Sequence, residues 1–278
     1  MPNPSITHLS VKKVSANQST DADDSLAAEE PLEIRLAYGP MNARQQKSIS
    51  VTMRTPGNDA ELAIGFLYTE GIITSAKEIT SAKPYNPRTE NIIRVELEPN
   101  VKVDMDRLER NFYTSSSCGV CGKASIDSVK TVCNILPTKD SIQIPVELIY
   151  KLPALLRDKQ DVFEHTGGLH ASALFDLEGK LLLLREDVGR HNALDKLIGA
   201  SLQAGMIPLD NHILLLSGRA SFELIQKAAM AGIKIIAAVG APSSLAVEMA
   251  DESDMSLIGF LRGERCNIYT GAQRIRID

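Results

Sequence analysis

Aromatic residues are scarce in this sequence: tryptophan is absent, and Phe, Trp and Tyr together make up 4% of the 278 residues. Proteins that bind single-stranded nucleic acid stack bases on aromatic side chains inside a positively charged groove. This chain instead carries a net charge of −5 at pH 7, so long-range attraction to nucleic acid or to an anionic membrane is not expected. A site for a polyanion would have to be a local basic pocket.

Long hydrophobic runs and closely spaced cysteines are also scarce. No apolar run reaches the ~20 residues that a membrane-spanning helix needs, and residues 1–30 lack the apolar centre of a signal peptide. We therefore expect a cytoplasmic protein with no membrane partner, in a compartment where thiols stay reduced. Of the four cysteines, only Cys118 and Cys121 lie close together, which excludes a disulfide scaffold.

The first half of the chain reads as a polar tail followed by a small α+β domain. Residues 1–28 are polar with little hydrophobic periodicity, which predicts a disordered tail. Residues 29–112 are predicted to form the α+β domain. Its predicted strands are 33–38, 48–54 and 92–97, and its predicted helices are 58–70 and 104–110.

The second half, residues 140–278, alternates apolar strands with helices. The predicted strands are 171–175, 180–185, 213–217, 233–239 and 255–261, and the predicted helices are 145–156, 191–204, 221–231 and 243–253. Continuously apolar strands between helices favour a sheet with parallel character that is covered on both faces. The chain is therefore predicted to be α/β in its larger part, and α+β when the first half is included.

The loops that follow the predicted strands are rich in glycine, arginine and hydroxyl groups. These loops are 185–191, 217–221, 240–244 and 262–265. Ligands of α/β proteins bind beyond the carboxyl ends of the strands, helix N-termini favour phosphate, and arginine recognises oxyanions through two parallel hydrogen bonds. We infer a pocket for a phosphorylated, nucleotide-sized ligand. The alternative is that these residues only cap helices and form local ion pairs, and neither a P-loop nor a Rossmann fingerprint is present.

Cys118 and Cys121 form a C-x-x-C pair that follows three serines and is flanked by Gly122. Residues 113–139 are predicted to be a mobile loop region that carries this pair between the two halves, because glycines free the backbone. Two sulfur atoms at this spacing can bind a metal, cycle as a disulfide, or carry sulfur as a persulfide.

The three possible roles of the cysteine pair differ in the companion residues they need. A structural zinc site usually has four protein ligands; Cys133 and Cys266 are isolated, so a site would need His165 or His170. A thioredoxin-like pair opens a helix directly after a strand, and no strong strand precedes this one. A persulfide needs a reactive thiolate, favoured by exposure and nearby positive charge. The persulfide role fits best beside a pocket for a phosphorylated ligand.

His165 and His170 bracket a Gly-Gly turn. They could line the pocket as proton donors or metal ligands. A local structural role, with His170 opening a strand, is the favoured interpretation. The zinc deaminase signature, H-x-E followed by P-C-x-x-C, does not match, because Ser172 stands where the glutamate would be.

Six segments together resemble the FdhD/NarQ family, the formate dehydrogenase accessory sulfurtransferases. They are residues 69–73, 118–122, 165–170, 186–196, 217–221 and 269–270. The resemblance extends from about residue 30 to the end of the chain. It implies a cytidine-deaminase-like, three-layer αβα domain with a smaller N-terminal α+β domain, in a homodimer.

The resemblance also implies a function. A cysteine desulfurase would pass sulfur to Cys118 as a persulfide, with Cys121 as its partner. The sulfur would then go to the bis(molybdopterin guanine dinucleotide) cofactor, with molybdenum or tungsten, that formate dehydrogenase needs. No further metal is implied. The cofactor-contacting stretch falls on Phe260, Leu261, Arg262, Gly263, Glu264 and Arg265, and Arg219 from the inferred pocket is a further candidate.

Two other functions remain open from the residues. One is a non-catalytic chaperone that binds and inserts the molybdenum cofactor without moving sulfur. The other is a zinc-stabilised binding module.

Overall fold

A computed structural model describes residues 3–86, 91–104 and 140–277. Its helices are α1 (Asp59–Thr69), α2 (Val146–Arg157), α3 (Asp161–Thr166), α4 (Arg190–Gln203), α5 (Phe222–Met230) and α6 (Ser244–Glu252). Its strands are β1 (Ile6–Ser15), β2 (Gln18–Ala27), β3 (Glu30–Tyr38), β4 (Gln45–Arg54), β5 (Ile79–Pro84), β6 (Ile92–Leu97), β7 (Ile144–Pro145), β8 (His170–Phe175), β9 (Leu181–Asp187), β10 (Ile213–Leu216), β11 (Ile235–Ala238), β12 (Ser256–Arg262), β13 (Arg265–Thr270) and β14 (Ile275–Arg276).

The second half of the chain is built on a six-stranded sheet with the order β13-β12-β11-β10-β8-β9. Strands β10, β11 and β12 are parallel, whereas β8 runs antiparallel to both of its neighbours. Side chains alternate between the two faces. Leu215 and Ala237 belong to a buried cluster that includes Ile149 of α2, while Leu214 and Ile236 belong to the one that holds α4, α5 and α6. The predicted three-layer αβα arrangement is confirmed.

The first half contributes a four-stranded sheet with the order β4-β3-β6-β5. Helix α1 covers it, because Leu62 and Leu67 share a buried cluster with Leu32 and Val95. The same cluster continues into α4 and the large sheet. The strands predicted at 33–38, 48–54 and 92–97 and the helix predicted at 58–70 are confirmed to within three residues at each end. The exact domain boundaries stay a prediction.

The N-terminal segment is not the disordered tail that its composition predicts. β1 and β2 pair along their whole length as an antiparallel hairpin, with Ser15 opposite Gln18 across the turn. Lys12 pairs with Asp21 at 2.9 Å, and Ser10 donates to Asp23. The prediction was wrong for this segment because cross-strand pairs of polar residues produce no hydrophobic periodicity, although they stabilise a ladder.

Two edge strands, β5 and β13, are absent from the sequence-based prediction. β13 follows a turn at Gly263 and Glu264, so the loop 262–265 joins two antiparallel strands rather than opening a helix. The helix predicted over 104–110 lies outside the described residues except for its first one, as do the residues of the C-x-x-C pair. In the described part of the chain, no helix is both long and apolar enough to cross a membrane.

Asp140 ties the start of the second half to the large sheet. Its carboxylate accepts hydrogen bonds from Lys234 at 2.8 Å and from Arg274 at 3.0 Å. Burial alone would raise the pKa of Asp140, but the hydrogen bonds from Arg274 and Lys234 outweigh it and hold the pKa at about 2, below the ordinary 3.8. The folded state therefore favours the ionised carboxylate.

We expect Asp140→Asn to lower the free energy of unfolding near neutral pH and to make it less sensitive to acid. A lowered folded-state pKa contributes stability that is complete above the unfolded pKa of 3.8 and is lost as pH falls towards about 2. Urea unfolding of both proteins at a series of pH values checks this. If the difference in unfolding free energy between the wild type and Asp140→Asn stayed constant below pH ~4, this prediction would be contradicted.

Candidate functional site

The carboxyl edge of the large sheet collects residues from five strands. Because β8 runs antiparallel to β9 and β10, its first residue, His170, lies where they end: it pairs with Asp187 at the end of β9. The main-chain N–H of Ala171 donates to Ser217 Oγ, just after β10, at 2.8 Å. The predicted strand-end loops thus converge on one edge.

Backbone hydrogen bonds join the loops after β10, β11 and β12. Gly240 N donates to Gly218 O at 2.9 Å, and Phe260 N donates to Gly240 O at 3.0 Å. A Cβ on Gly240 would lie 3.0 Å from atoms of Arg219, so glycine allows the two loops to touch. Two candidate binding residues, Arg219 and Phe260, are therefore brought together on either side of Gly240.

The remaining residues of the predicted cofactor-contacting stretch are placed differently. The side chain of Leu261 is fully buried among residues that pack on α2, so it could contact a ligand only through its backbone. Arg262, Gly263, Glu264 and Arg265 are exposed in the turn between β12 and β13. Phe260 is 44% exposed and has a φ of 53°. Positive φ is an outlier for an aromatic residue, and such strain occurs often at functional sites.

His170 sits among positive charges at this edge. Burial and the positive charges of Arg190, His191 and Arg219 lower the pKa of its imidazole below the usual 6.5, and Asp187 offsets this only in part. The Cα of Gly218 packs against the ring, since a Cβ there would lie 3.1 Å from Nδ1. Burial is the largest cause of this lowered pKa, and the neighbouring cations add to it.

The two acids that end β9 are both engaged elsewhere. Asp187 is fully buried, pairs with Lys196 Nζ at 2.7 Å, and accepts hydrogen bonds from the main-chain N–H groups of Thr55 and Gly189. Glu186 accepts hydrogen bonds from main-chain N–H groups at the start of α3. These acids hold neighbouring segments in place.

His191 has a different neighbourhood from His170. Its Nε2 lies 3.4 Å from Ser221 Oγ and 3.8 Å from Glu223 Oε2. The neighbouring His191 imidazole, against the effect of burial, holds the pKa of Glu223 at about 2. Sequence reasoning did not single out Glu223, although its place on the first turn of α5 next to the 217–221 loop could have indicated it.

A cavity of about 500 Å³ opens on the α2 side of the same edge. Its apolar walls come from α2, α3 and the sheet, and its polar groups come from Arg157, Gln160, His170 and Ser217. Cavities of this size and composition are typical of small-molecule sites.

Both histidines beside the Gly-Gly turn are described. His165 is exposed on the last turn of α3, and His170 opens β8, as the structural interpretation predicts.

Cys118, Cys121 and Cys133 lie outside the described residues. Cys266 is half-buried, and burial raises the pKa of its thiol. Among the described residues, no three His, Cys, Asp or Glu side chains are grouped so as to hold a metal ion.

The FdhD/NarQ family model matches residues 27–276, which is most of the chain. The chain belongs to the FdhD/NarQ family. "Sulfur carrier protein FdhD" of Streptomyces avermitilis is 51% identical over 91% of this chain and 90% of that protein. The protein of the same name from Mycobacterium bovis is 47% identical over 96% of this chain and 98% of its own length.

The fold has a counterpart among solved structures. The crystal structure of a formate dehydrogenase accessory protein from Desulfotalea psychrophila aligns with a TM-score of 0.74 and 24% identity, over 98% of this chain and all of that one. At this identity the match supports the fold. The family match and the structural match agree with the resemblance drawn from the motifs.

Proposed function

We propose that this protein is a cytoplasmic sulfur carrier for formate dehydrogenase maturation, working through a persulfide on Cys118. The observation that carries the proposal is its 51% identity to a protein named as a sulfur carrier, combined with the C-x-x-C pair at Cys118 and Cys121. The donor is a cysteine desulfurase. The acceptor is the bis(molybdopterin guanine dinucleotide) cofactor of formate dehydrogenase, bound here as a substrate, and the carrier acts as a homodimer.

The chemistry requires two exchanges at sulfur. The Cys118 thiolate attacks the terminal sulfur of the donor's persulfide; a new S–S bond forms and the donor leaves as a thiolate. Cys121 then attacks the inner sulfur of the Cys118 persulfide. The S–S bond of the persulfide breaks, and the outer sulfur is delivered as sulfide to the metal centre of the substrate. A Cys118–Cys121 disulfide remains for a cellular thiol to reduce.

The described edge of the sheet supports the acceptor half of the proposal. The guanosine diphosphate ends of the substrate would be held by Arg219, Arg262 and Arg265, with Phe260 exposed between them to contact a base. Binding energy gained far from the reacting atoms positions them for transfer.

Mass spectrometry of the intact protein tests the carrier role. After incubation with a cysteine desulfurase and cysteine, the wild type is expected to gain the mass of one sulfur atom, and Cys118→Ala is expected not to. Cys266→Ala is the matched control and keeps the gain, because that half-buried thiol has a raised pKa and forms little thiolate.

Other results would favour the other candidate functions. A wild type that gains no sulfur beside an active desulfurase, yet still supports formate dehydrogenase, would favour a chaperone that only binds and inserts the cofactor. Stoichiometric zinc that is lost in Cys118→Ala would favour the zinc-stabilised module.

A further inference from the structure

The open face of the small four-stranded sheet carries a row of cations. Arg35 of β3 lies opposite Arg94 of β6, and Arg94 lies opposite Lys83 of β5. Residues that lie opposite each other in neighbouring strands point to the same face of the sheet, and neighbouring strands are about 4.8 Å apart. These three cations, which we call the basic row, therefore span roughly 10 Å across the sheet.

The basic row lies on the face that α1 leaves uncovered. Ile93 and Val95, which flank Arg94 on β6, are buried in the cluster that includes α1. Side chains alternate along a strand, so Arg94 points the other way, and its side chain is 35% exposed. The side chain of Arg35 is 24% exposed, and Lys83 is exposed. The row is therefore accessible in the part of the chain that the structure describes.

The basic row holds more positive charge than the described acids compensate. Arg35 pairs with Glu33 and Arg94 pairs with Glu96, each at 2.7 Å and each through Nη2. A guanidinium has five N–H donors, so both arginines keep donors for a second carboxylate. Lys83 makes no ion pair with a described residue. Like charges directly opposite one another destabilise a sheet, so the row indicates a role other than stability.

Apolar side chains lie beside the basic row on the same face. Val51 of β4 lies opposite Glu33, and Glu33 lies opposite Ile92 of β6. Tyr85 joins them, because the guanidinium of Arg35 lies over its ring, 4.8 Å from the centroid. Val51 and Tyr85 are 44% and 43% exposed. The open face thus offers apolar contacts next to the cations.

We propose that this face docks an acidic amphipathic helix of a partner protein. On a helix, residues three or four apart have Cβ atoms ~5–6 Å apart, and residues seven apart are separated by about 10.5 Å along the axis. Glu or Asp side chains at i, i+4 and i+7 therefore match the spacing of the basic row. An adjoining apolar stripe of the helix covers Val51, Ile92 and Tyr85. An extended segment fits less well, since its side chains on one face recur every ~6.7 Å.

The arrangement of charges favours a protein partner over a nucleic acid. Glu33 and Glu96 lie on opposite sides of the basic row, because β3 and β6 are parallel and each glutamate is two residues from its arginine in the opposite direction. A continuous phosphate backbone would meet these carboxylates, whereas separate carboxylates of a helix can lie between them. The docking surface belongs to the small sheet and is independent of the role proposed for Cys118.

Fluorescence anisotropy with labelled synthetic peptides and the full-length protein tests the proposal. The first peptide is a helix of about 20 residues, since shorter helices are marginal in water. It carries Glu at the three matching positions and Leu on the adjoining stripe. The second peptide has Gln in place of each Glu. Each exposed ion pair contributes about a factor of 2 to 5 in affinity, so the wild type should bind the Gln peptide roughly 10-fold more weakly.

Two triple variants separate the basic row from the net charge of the protein. The row variant is Arg35→Gln, Lys83→Gln and Arg94→Gln. The control variant removes three exposed lysines of the second half of the chain: Lys151→Gln, Lys159→Gln and Lys180→Gln. Both lose three positive charges. The row variant should bind the Glu peptide roughly 10-fold more weakly than the wild type, and the control variant should bind it like the wild type.

Lys83→Glu keeps the proposal testable if the row variant does not fold. Lys83 is exposed and makes no ion pair with a described residue, so its replacement leaves the packing of the sheet intact. The new carboxylate should repel the Glu peptide and weaken its binding about 2- to 5-fold. Binding of the Gln peptide should not change.

Four results would overturn the proposal. The wild type could bind the two peptides equally, or the row variant could bind the Glu peptide as tightly as the control variant does. Single-stranded DNA of the same charge could displace the Glu peptide as well as the unlabelled peptide does, which would indicate a site for any polyanion. Finally, sedimentation velocity could show that the row variant changes the oligomeric state, which would make a second copy of this chain the occupant of the face.

Discussion

Gly199→Ala is expected to destabilise the protein by more than ~3 kcal/mol, although alanine is the better helix former by about 1 kcal/mol. Helices α1 and α4 cross with Gly65 against Gly199, and both residues are buried. A Cβ on Gly199 would overlap the carbonyl oxygen of Glu61, and one on Gly65 would overlap the carbonyl oxygen of Asp195. These atoms belong to helix backbones, so neither can move aside without separating the helices.

The measurement is the midpoint of urea unfolding, with Gly65→Ala as the reciprocal variant. Both are expected to unfold at much lower urea concentrations than the wild type. Gln203→Ala, at the exposed end of α4, is the control and should change the free energy of unfolding by no more than about 0.5 kcal/mol. If Gly199→Ala raised the midpoint, the close crossing of α1 and α4 would be wrong.

Asp187→Ala is expected to cost about 3–5 kcal/mol, because it leaves a charged lysine buried without its partner. The side chains of Asp187 and Lys196 are 0% and 2% exposed and lie 2.7 Å apart. Lys196 also donates to the carbonyl oxygen of Thr55 at 2.9 Å, and Asp187 accepts from its main-chain N–H at 3.1 Å. The pair therefore joins the end of β4 to the carboxyl edge of the large sheet.

The hairpin offers a matched control for this prediction. Lys12 and Asp21 form the same kind of pair at 2.9 Å, but their side chains are 70% and 80% exposed. Water screens such a pair, so Asp21→Ala should cost less than ~1 kcal/mol. Thermal unfolding of the two variants compares them directly. Equal losses would contradict the difference in burial on which the prediction depends.

Much of the second half of the chain was predictable because its signals are local. Continuous apolar runs such as 213–217 predict buried strands, and the glycine- and arginine-rich loops after them predict where a ligand binds. The structure confirms those strands and brings Arg219 and Phe260 to one edge. Burial of Leu261 could not be predicted in the same way, because it depends on which face of β12 meets α2.

Other features depend on partners that are distant in sequence. The strands β1 and β2 look like a polar tail because their pairing with each other, rather than an apolar face, stabilises them. Gly65 and Gly199 are separated by more than a hundred residues, and each reads alone as an unfavourable helix residue. His170 reads alone as the first residue of a strand, and its pairing with Asp187 follows only from the antiparallel direction of β8.

The order of residues alone was enough for the family and the layered α/β class, because long motifs and hydrophobic periodicity are local properties. Only the tertiary structure decided which groups the two acids that end β9 contact: Asp187 pairs with Lys196, and Glu186 accepts a hydrogen bond from the start of α3. It also decided the contact between α1 and α4, because the space around a glycine is set by the backbone that packs against it.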